Sequence, residues 1–247
     1  MNSKKSKLMK VLALILAICA IATGFTACGK KSGSGKVPKE FQGKQMEQYI
    51  KLICSENYTY ETAPMKGGKT GGNIFYAKAD EDNALVTFQV VSKNQTVPCT
   101  IMLKKDENNG DNKKGQYYVV FSSEGIYAPV PNGDQNAVSR YAATMEKLSL
   151  DYLMSDSFVG SGKVSYMGQT YSYEDYANAN RGVRNRFFFD QDGNLKMMGK
   201  VDGSGKVNGL ASISIYETNS SVFTDVYSYR AVDYYSLFPG DVKTASK

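Results

Sequence analysis

Val183-Arg184-Asn185-Arg186-Phe187-Phe188-Phe189-Asp190, then Gln191-Asp192-Gly193, then Asn194–Val201, is the stretch that decides the fold. Two runs rich in aromatic and aliphatic residues flank an Asp-Gly turn, which is the pattern of a β-hairpin. Side chains alternate along a strand, so Val183, Phe187 and Phe189 share one face while Arg184, Arg186 and Phe188 share the other. Outward from this hairpin the period of two recurs. On the C-terminal side Val207–Tyr216 sets Val207, Gly209, Ala211, Ile213 and Ile215 on one face, and Val222–Arg230 reads as a last strand. On the N-terminal side Gly162–Met167 and Gln169–Tyr176 are divided by Gly168. Further back, Asn83–Ser92 aligns Ala84, Val86, Phe88 and Val90, and Val97–Leu103 aligns Val97, Cys99, Ile101 and Leu103. Gln116–Phe121 is again β-rich, after the polar turn cluster Asp106–Gly115.

Two segments break this period. Within Phe41–Ile53, Met46, Tyr49, Ile50 and Ile53 fall at helical spacing. After the start signal Asn132-Gly133-Asp134, the residues Val138, Tyr141, Met145, Leu148 and Tyr152 form a narrow stripe of three- and four-residue steps. The expected fold is mainly β with two packed helices (α+β), a large antiparallel meander carrying the helices on its face.

The chain opens with an address. Met1–Lys10 is basic, Val11–Ala22 is apolar, and Phe25-Thr26-Ala27-Cys28 closes the run, the plan of a secretory signal. Thr26-Ala27-Cys28 resembles the end of a bacterial lipoprotein signal, with Phe25 where Leu is usual. The resemblance implies cleavage after residue 27, a diacylglycerol on Cys28, and a start Cys-Gly-Lys-Lys like that of Gram-positive surface lipoproteins. The alternative is an uncleaved anchor helix, since Val11–Ala27 gives 17 uncharged residues, at the lower limit of about 17–25 for a span. Either way the chain is expected at the cell membrane, facing outside the cytoplasm. Residues 28–39 then form a Gly/Ser/Lys tether, residues 40–240 a single β-rich domain, and 241–247 a polar tail.

Composition narrows the chemistry. The formal charge is +6, but four lysines lie in residues 1–27, leaving 26 basic against 24 acidic residues, or +2, from Cys28 on. That balance gives no nucleic-acid footprint. No His is present, which removes Ser-His-Asp and Cys-His systems and imidazole metal sites. Glu174 and Asp175 are adjacent on a strand, so they face opposite ways and form no catalytic pair. The Asp/Asn clusters Asp106–Asp111 and Asp190–Asn194 lack the calcium-loop pattern and read as turns. No catalytic residue, metal site or cofactor is expected. Cys54 and Cys99 remain in the exported part, either as a disulfide or as two buried thiols.

Several pieces together resemble the LolA-like lipoprotein fold. They are the N-terminal helix leading into Asn57-Tyr58-Thr59-Tyr60-Glu61, the central helix within Asp134–Met154, Tyr166–Glu174, Arg186–Leu195, and Phe238-Pro239-Gly240. The resemblance implies a curved antiparallel half-barrel with helices on its concave side and a cavity able to take acyl chains. Phe187, Phe189, Ile213 and Ile215, on the inward faces of two late strands, are then the candidate ligand-facing residues. The expected function is a membrane-anchored lipoprotein binding a lipid or other apolar ligand. The alternative is a surface module that meets a protein or glycan through exposed tyrosines such as Tyr171 and Tyr173, drawn from 18 in the chain.

Overall fold

The structure, a computed structural model, describes residues 35–65, 73–92, 95–105, 115–179, 182–223 and 225–238. The signal, Cys28, most of the tether, Asp106–Asp111, Pro239-Gly240 and the polar tail lie outside the described residues. The fold is mainly β, with few helices. Among the described residues twelve strands are ordered β12-β6-β5-β4-β3-β2-β1-β11-β10-β9-β8-β7. They are β1 (Tyr58–Pro64), β2 (Ile74–Lys78), β3 (Ala84–Ser92), β4 (Gln95–Lys104), β5 (Gln116–Phe121), β6 (Ile126–Pro129), β7 (Ser157–Tyr166), β8 (Gln169–Asn178), β9 (Val183–Phe189), β10 (Leu195–Val201), β11 (Val207–Tyr216) and β12 (Arg230–Ala231). The chain divides into two compact units, the division falling within β2.

The first unit holds Tyr76–Ser149 and the described residues from Asn219 on. β3, β4, β5 and β6 are consecutive antiparallel neighbours. Val86, Ile101, Val119 and Ala128 stand opposite one another along one face, and all four are buried. Leu85, Met102 and Tyr118 follow on the other face and are buried too. α2 is the helix Gln135–Leu148, numbered after the N-terminal helix α1 (Glu47–Cys54). It begins where the sequence signals, with the Asp134 carboxylate accepting from Ala137 N–H at 3.0 Å. Its inner face differs from the expected stripe. Ala137, Tyr141, Thr144 and Met145 are buried, whereas Val138 and Leu148 are half-buried. The Tyr141 ring sets this rotation: it meets Tyr234 and Phe238 of the C-terminal segment, which themselves stack at 4.6 Å.

The expected last strand Val222–Arg230 is not one. Short 3-10 turns occupy Ser220–Val222 and Val226–Ser228, and among the described residues of this segment the strand is Arg230–Ala231, paired parallel to β6. The reason is local. Asn219 and Asp225 side chains accept from Ser221 N–H at 2.9 Å and Tyr227 N–H at 3.0 Å, offering the backbone a turn in place of a ladder.

The second unit holds the described residues before Tyr76 together with Leu150–Thr218. Its strands β1, β11, β10, β9, β8 and β7 pair antiparallel in that order. The Asp-Gly hairpin forms as read. Asp190 accepts from Asp192 N–H at 3.0 Å and Asn194 N–H at 2.8 Å, and Gly193 takes φ +79°. Asp202 closes the β10–β11 turn in the same way. α1 is shorter than expected and follows a 3-10 turn at Lys39–Phe41.

A candidate ligand site beneath the N-terminal segment

The four sequence-selected residues come together on one face of the second unit. Phe187 and Phe189 are fully buried, and Ile213 and Ile215 are 2% and 7% exposed. Thr62 stands opposite Ile213 and Tyr60 opposite Ile215, while Glu174 and Met198 flank Phe187, so these side chains share the floor. The floor is covered by the chain itself. Phe41 stacks on Tyr176 at 4.5 Å between ring centres, and Tyr176 meets Phe187 edge-on at 6.1 Å. Met46, Ile50 and Ile53 of the same covering segment are buried alongside Phe41.

Hydrogen bonds to the sheet hold this cover. Gln45 N–H and Met46 N–H donate to the Glu174 carboxylate at 2.8 and 3.1 Å. Tyr176 donates its hydroxyl to the same carboxylate at 2.8 Å. Leu195 N–H donates to the Tyr49 hydroxyl at 2.9 Å, and Ser172 Oγ donates to Gln45 Oε1 at 3.1 Å. α1 has no side-chain cap of its own, and Glu174 supplies from the sheet the acceptor for its N-cap N–H, Met46, and for Gln45 just ahead of it. Burial pushes the Tyr176 hydroxyl well above the usual tyrosine range, and the Glu174 charge adds to the push. Tyr176 therefore stays a donor at every physiological pH.

The opposite face of β8 carries a different cluster. Asp175, fully buried, is paired with Arg184 and held bidentate by Arg186 at 2.7 and 2.8 Å. The Arg186 guanidinium lies 3.8 Å from the Tyr173 ring centre. Tyr173 in turn lies across Gly162, where an added Cβ would come within 2.8 Å of its hydroxyl. The bonds to Asp175 push Arg186 further above its usual value. Glu174 and Asp175 thus serve opposite faces with separate partners, a helix cover on one and an arginine pair on the other. Tyr171, half-buried, donates to Gln169 at 2.7 Å.

Cys54 and Cys99 are buried thiols and are not joined to each other. Burial pushes the Cys54 thiol up, which disfavours the reactive thiolate. The residue that sequence reasoning missed is Glu174 as the cap of α1. Its backbone partners lie 128 and 129 positions away, so no local signal marks it.

No family model matches the chain, and no curated protein matches it. Among solved structures it is similar to an uncharacterized conserved protein from Thermus thermophilus, with TM-score 0.34, 8% identity, and coverage of 76% of this chain and 94% of that one. It is similar also to MucB in complex with MucA(peri), with TM-score 0.26, 9% identity, and coverage of 75% and 60%. A LolA superfamily protein from Nitrosomonas europaea gives TM-score 0.21, 11% identity, and coverage of 69% and 89%. Likeness of this size identifies no family, and the fold described above stands on strand order and register.

Proposed function

We propose that the protein is a membrane-tethered, extracytoplasmic binding protein that takes a lipid or other apolar ligand beneath the segment Phe41–Cys54. The observation that carries this reading is the cover itself. Beside an apolar floor of Phe187, Phe189, Ile213 and Ile215, Phe41 stacks on Tyr176, and Met46, Ile50 and Ile53 of the same short segment are buried without adding a strand to the sheet. The magnitudes allow exchange. Exposing Phe41, Met46, Ile50 and Ile53 costs about 1.5–3 kcal/mol each, or about 6–12 kcal/mol together. An acyl chain of about fourteen methylenes returns about 0.8 kcal/mol per CH₂, about 11 kcal/mol. Cover and ligand are thus comparable occupants of one floor.

The tether belongs to the same reading. Cys28 carries the lipid anchor, and residues 29–40 join it in sequence to the cover. Changing Cys28 to Ala should abolish acylation and membrane retention, and unchanged fractionation with the lipid label retained would reject the anchor. The ligand is tested by native mass spectrometry of the full chain for co-purified lipid and by displacement of a fluorescent fatty-acid probe. Saturable displacement at micromolar protein supports the reading; no saturable binding together with no co-purified lipid rejects it. The Tyr173–Arg186 stack and half-buried Tyr171 favour a second reading, in which the outer face of β7–β9 meets a protein or glycan partner. Loss of partner capture on truncating Tyr171 and Tyr173, with probe binding absent, would select it.

A further inference from the structure

Asn185 on β9 is 2% exposed, and its side-chain N–H₂ meets no acceptor among the described residues. It stands opposite Tyr176 on β8 and opposite Lys200 on β10, two positions before Phe187. Opposed side chains share a face, so the amide lies on the floor beside the ring that Phe41 covers. The neighbouring polar groups on that face are already engaged. Tyr176 is committed to Glu174, and Asn178 donates to Asp156 at 2.7 Å and to Ser155 at 2.9 Å. One strong donor is left over in an apolar setting. A buried donor without an acceptor is destabilising, and an aliphatic side chain of similar size would relieve that cost. Ligand sites show this combination, an apolar wall with a few placed polar groups that fix orientation.

We infer that Asn185 is the polar anchor of the site and donates to the carbonyl oxygen of an acyl ester whose hydrocarbon lies on Phe187. This rests on the carrier reading above. A neutral acceptor fits better than a carboxylate. Glu174 and Asp156 already bring two acidic side chains to this part of the unit, and both are buried. A third anion there meets like charge in a poorly solvated space. An ester carbonyl accepts the hydrogen bond without that repulsion, and exposed Lys200 stands at the edge, where a polar headgroup would emerge.

The test competes methyl laurate, dodecane and lauric acid against the fluorescent probe on the purified full chain held in amphipol. The wild-type chain should bind the ester about tenfold more tightly than the hydrocarbon of equal length, the worth of one buried hydrogen bond. Asn185→Leu and Asn185→Val should bind ester and hydrocarbon alike. Two variants guard against a packing fault in either one. Equal affinities in the wild-type chain, tighter binding of the acid than of the ester, or an ester preference that survives both substitutions overturns the inference and leaves the carrier reading standing. Binding of none of the three overturns both.

Discussion

The helices α1 and α2 do the same work in their two units by different means. α2 runs fourteen residues, starts on its own Asp134 cap, and is locked by the Tyr141–Tyr234–Phe238 ring cluster. α1 runs eight residues, has no side-chain cap of its own, and is entered through Gln45 and Met46, whose N–H groups donate to Glu174 on the sheet. A helix of eight residues is marginal without tertiary support. α2 therefore brings its own first-turn acceptor to the sheet it meets, whereas α1 exists because the floor holds it. A cover that depends on its floor is one that a competitor for the floor can displace.

The largest effect should come from the cover's ring. Phe41→Ala removes a fully buried side chain and should cost about 3–5 kcal/mol in urea unfolding. If the cover competes with ligand, the same change should tighten probe binding; a loss of stability with no gain in affinity would make the cover a plain core element. Met145→Ala, on the buried face of α2, should cost about 2–5 kcal/mol and leave probe affinity unchanged.

Glu174→Gln comes next. It keeps the shape but cannot accept from Gln45 N–H, Met46 N–H and Tyr176 together, and it should cost about 1.5–3 kcal/mol. Hydrogen exchange should quicken at Gln45 and Met46 before it changes in α2. The matching change at the self-capped helix, Asp134→Ala, should cost only about 1 kcal/mol. Equal costs at the two caps would erase the contrast between the helices.

The smallest effect lies in the hairpin turns, which support the sheet and should be indifferent to the covers. Hydrogen bonds from Ser204 and Asn208 hold the Asp202 carboxyl down at about 2. Its folded value is depressed, so its stabilisation is complete above the ordinary carboxylate range of about 4 and fades as pH falls towards 2. Carboxyl NMR titration should show that midpoint. Asp202→Ala should return the acid limb of the stability curve towards that range without altering probe affinity.

The parts of the fold that were legible were those with local causes. Alternation placed Val86, Ile101, Phe187 and Ile213 on buried faces, and Asp-Gly marked the turn at Asp190–Asn194. Asp134 marked the start of α2, yet the rotation of that helix was hidden. It depends on where Tyr141 meets Tyr234, a partner 93 positions away. The segment Val222–Arg230 misled because alternation of apolar residues outweighed two side-chain caps in the reading, and the caps prevailed in the chain. Period alone set Phe187, Phe189, Ile213 and Ile215 on inward faces, while their candidate role came from the resemblance. The cap from Glu174, the ring of Tyr176 beneath Phe41, and the leftover donor of Asn185 were not visible, because each follows from strand register and not from spacing.

Displacement of the cover is tested most directly by fastening it. Gln45 and Ser172 touch across the edge of the cover through the tip of the glutamine side chain, so a Gln45→Cys, Ser172→Cys pair oxidised onto a short dithiol spacer, the bridge confirmed by mass spectrometry, can join cover to sheet reversibly. The oxidised chain should bind no fluorescent fatty-acid probe, and reduction should restore saturable binding. Equal probe binding in the oxidised and reduced chains would show that the ligand does not enter beneath Phe41–Cys54.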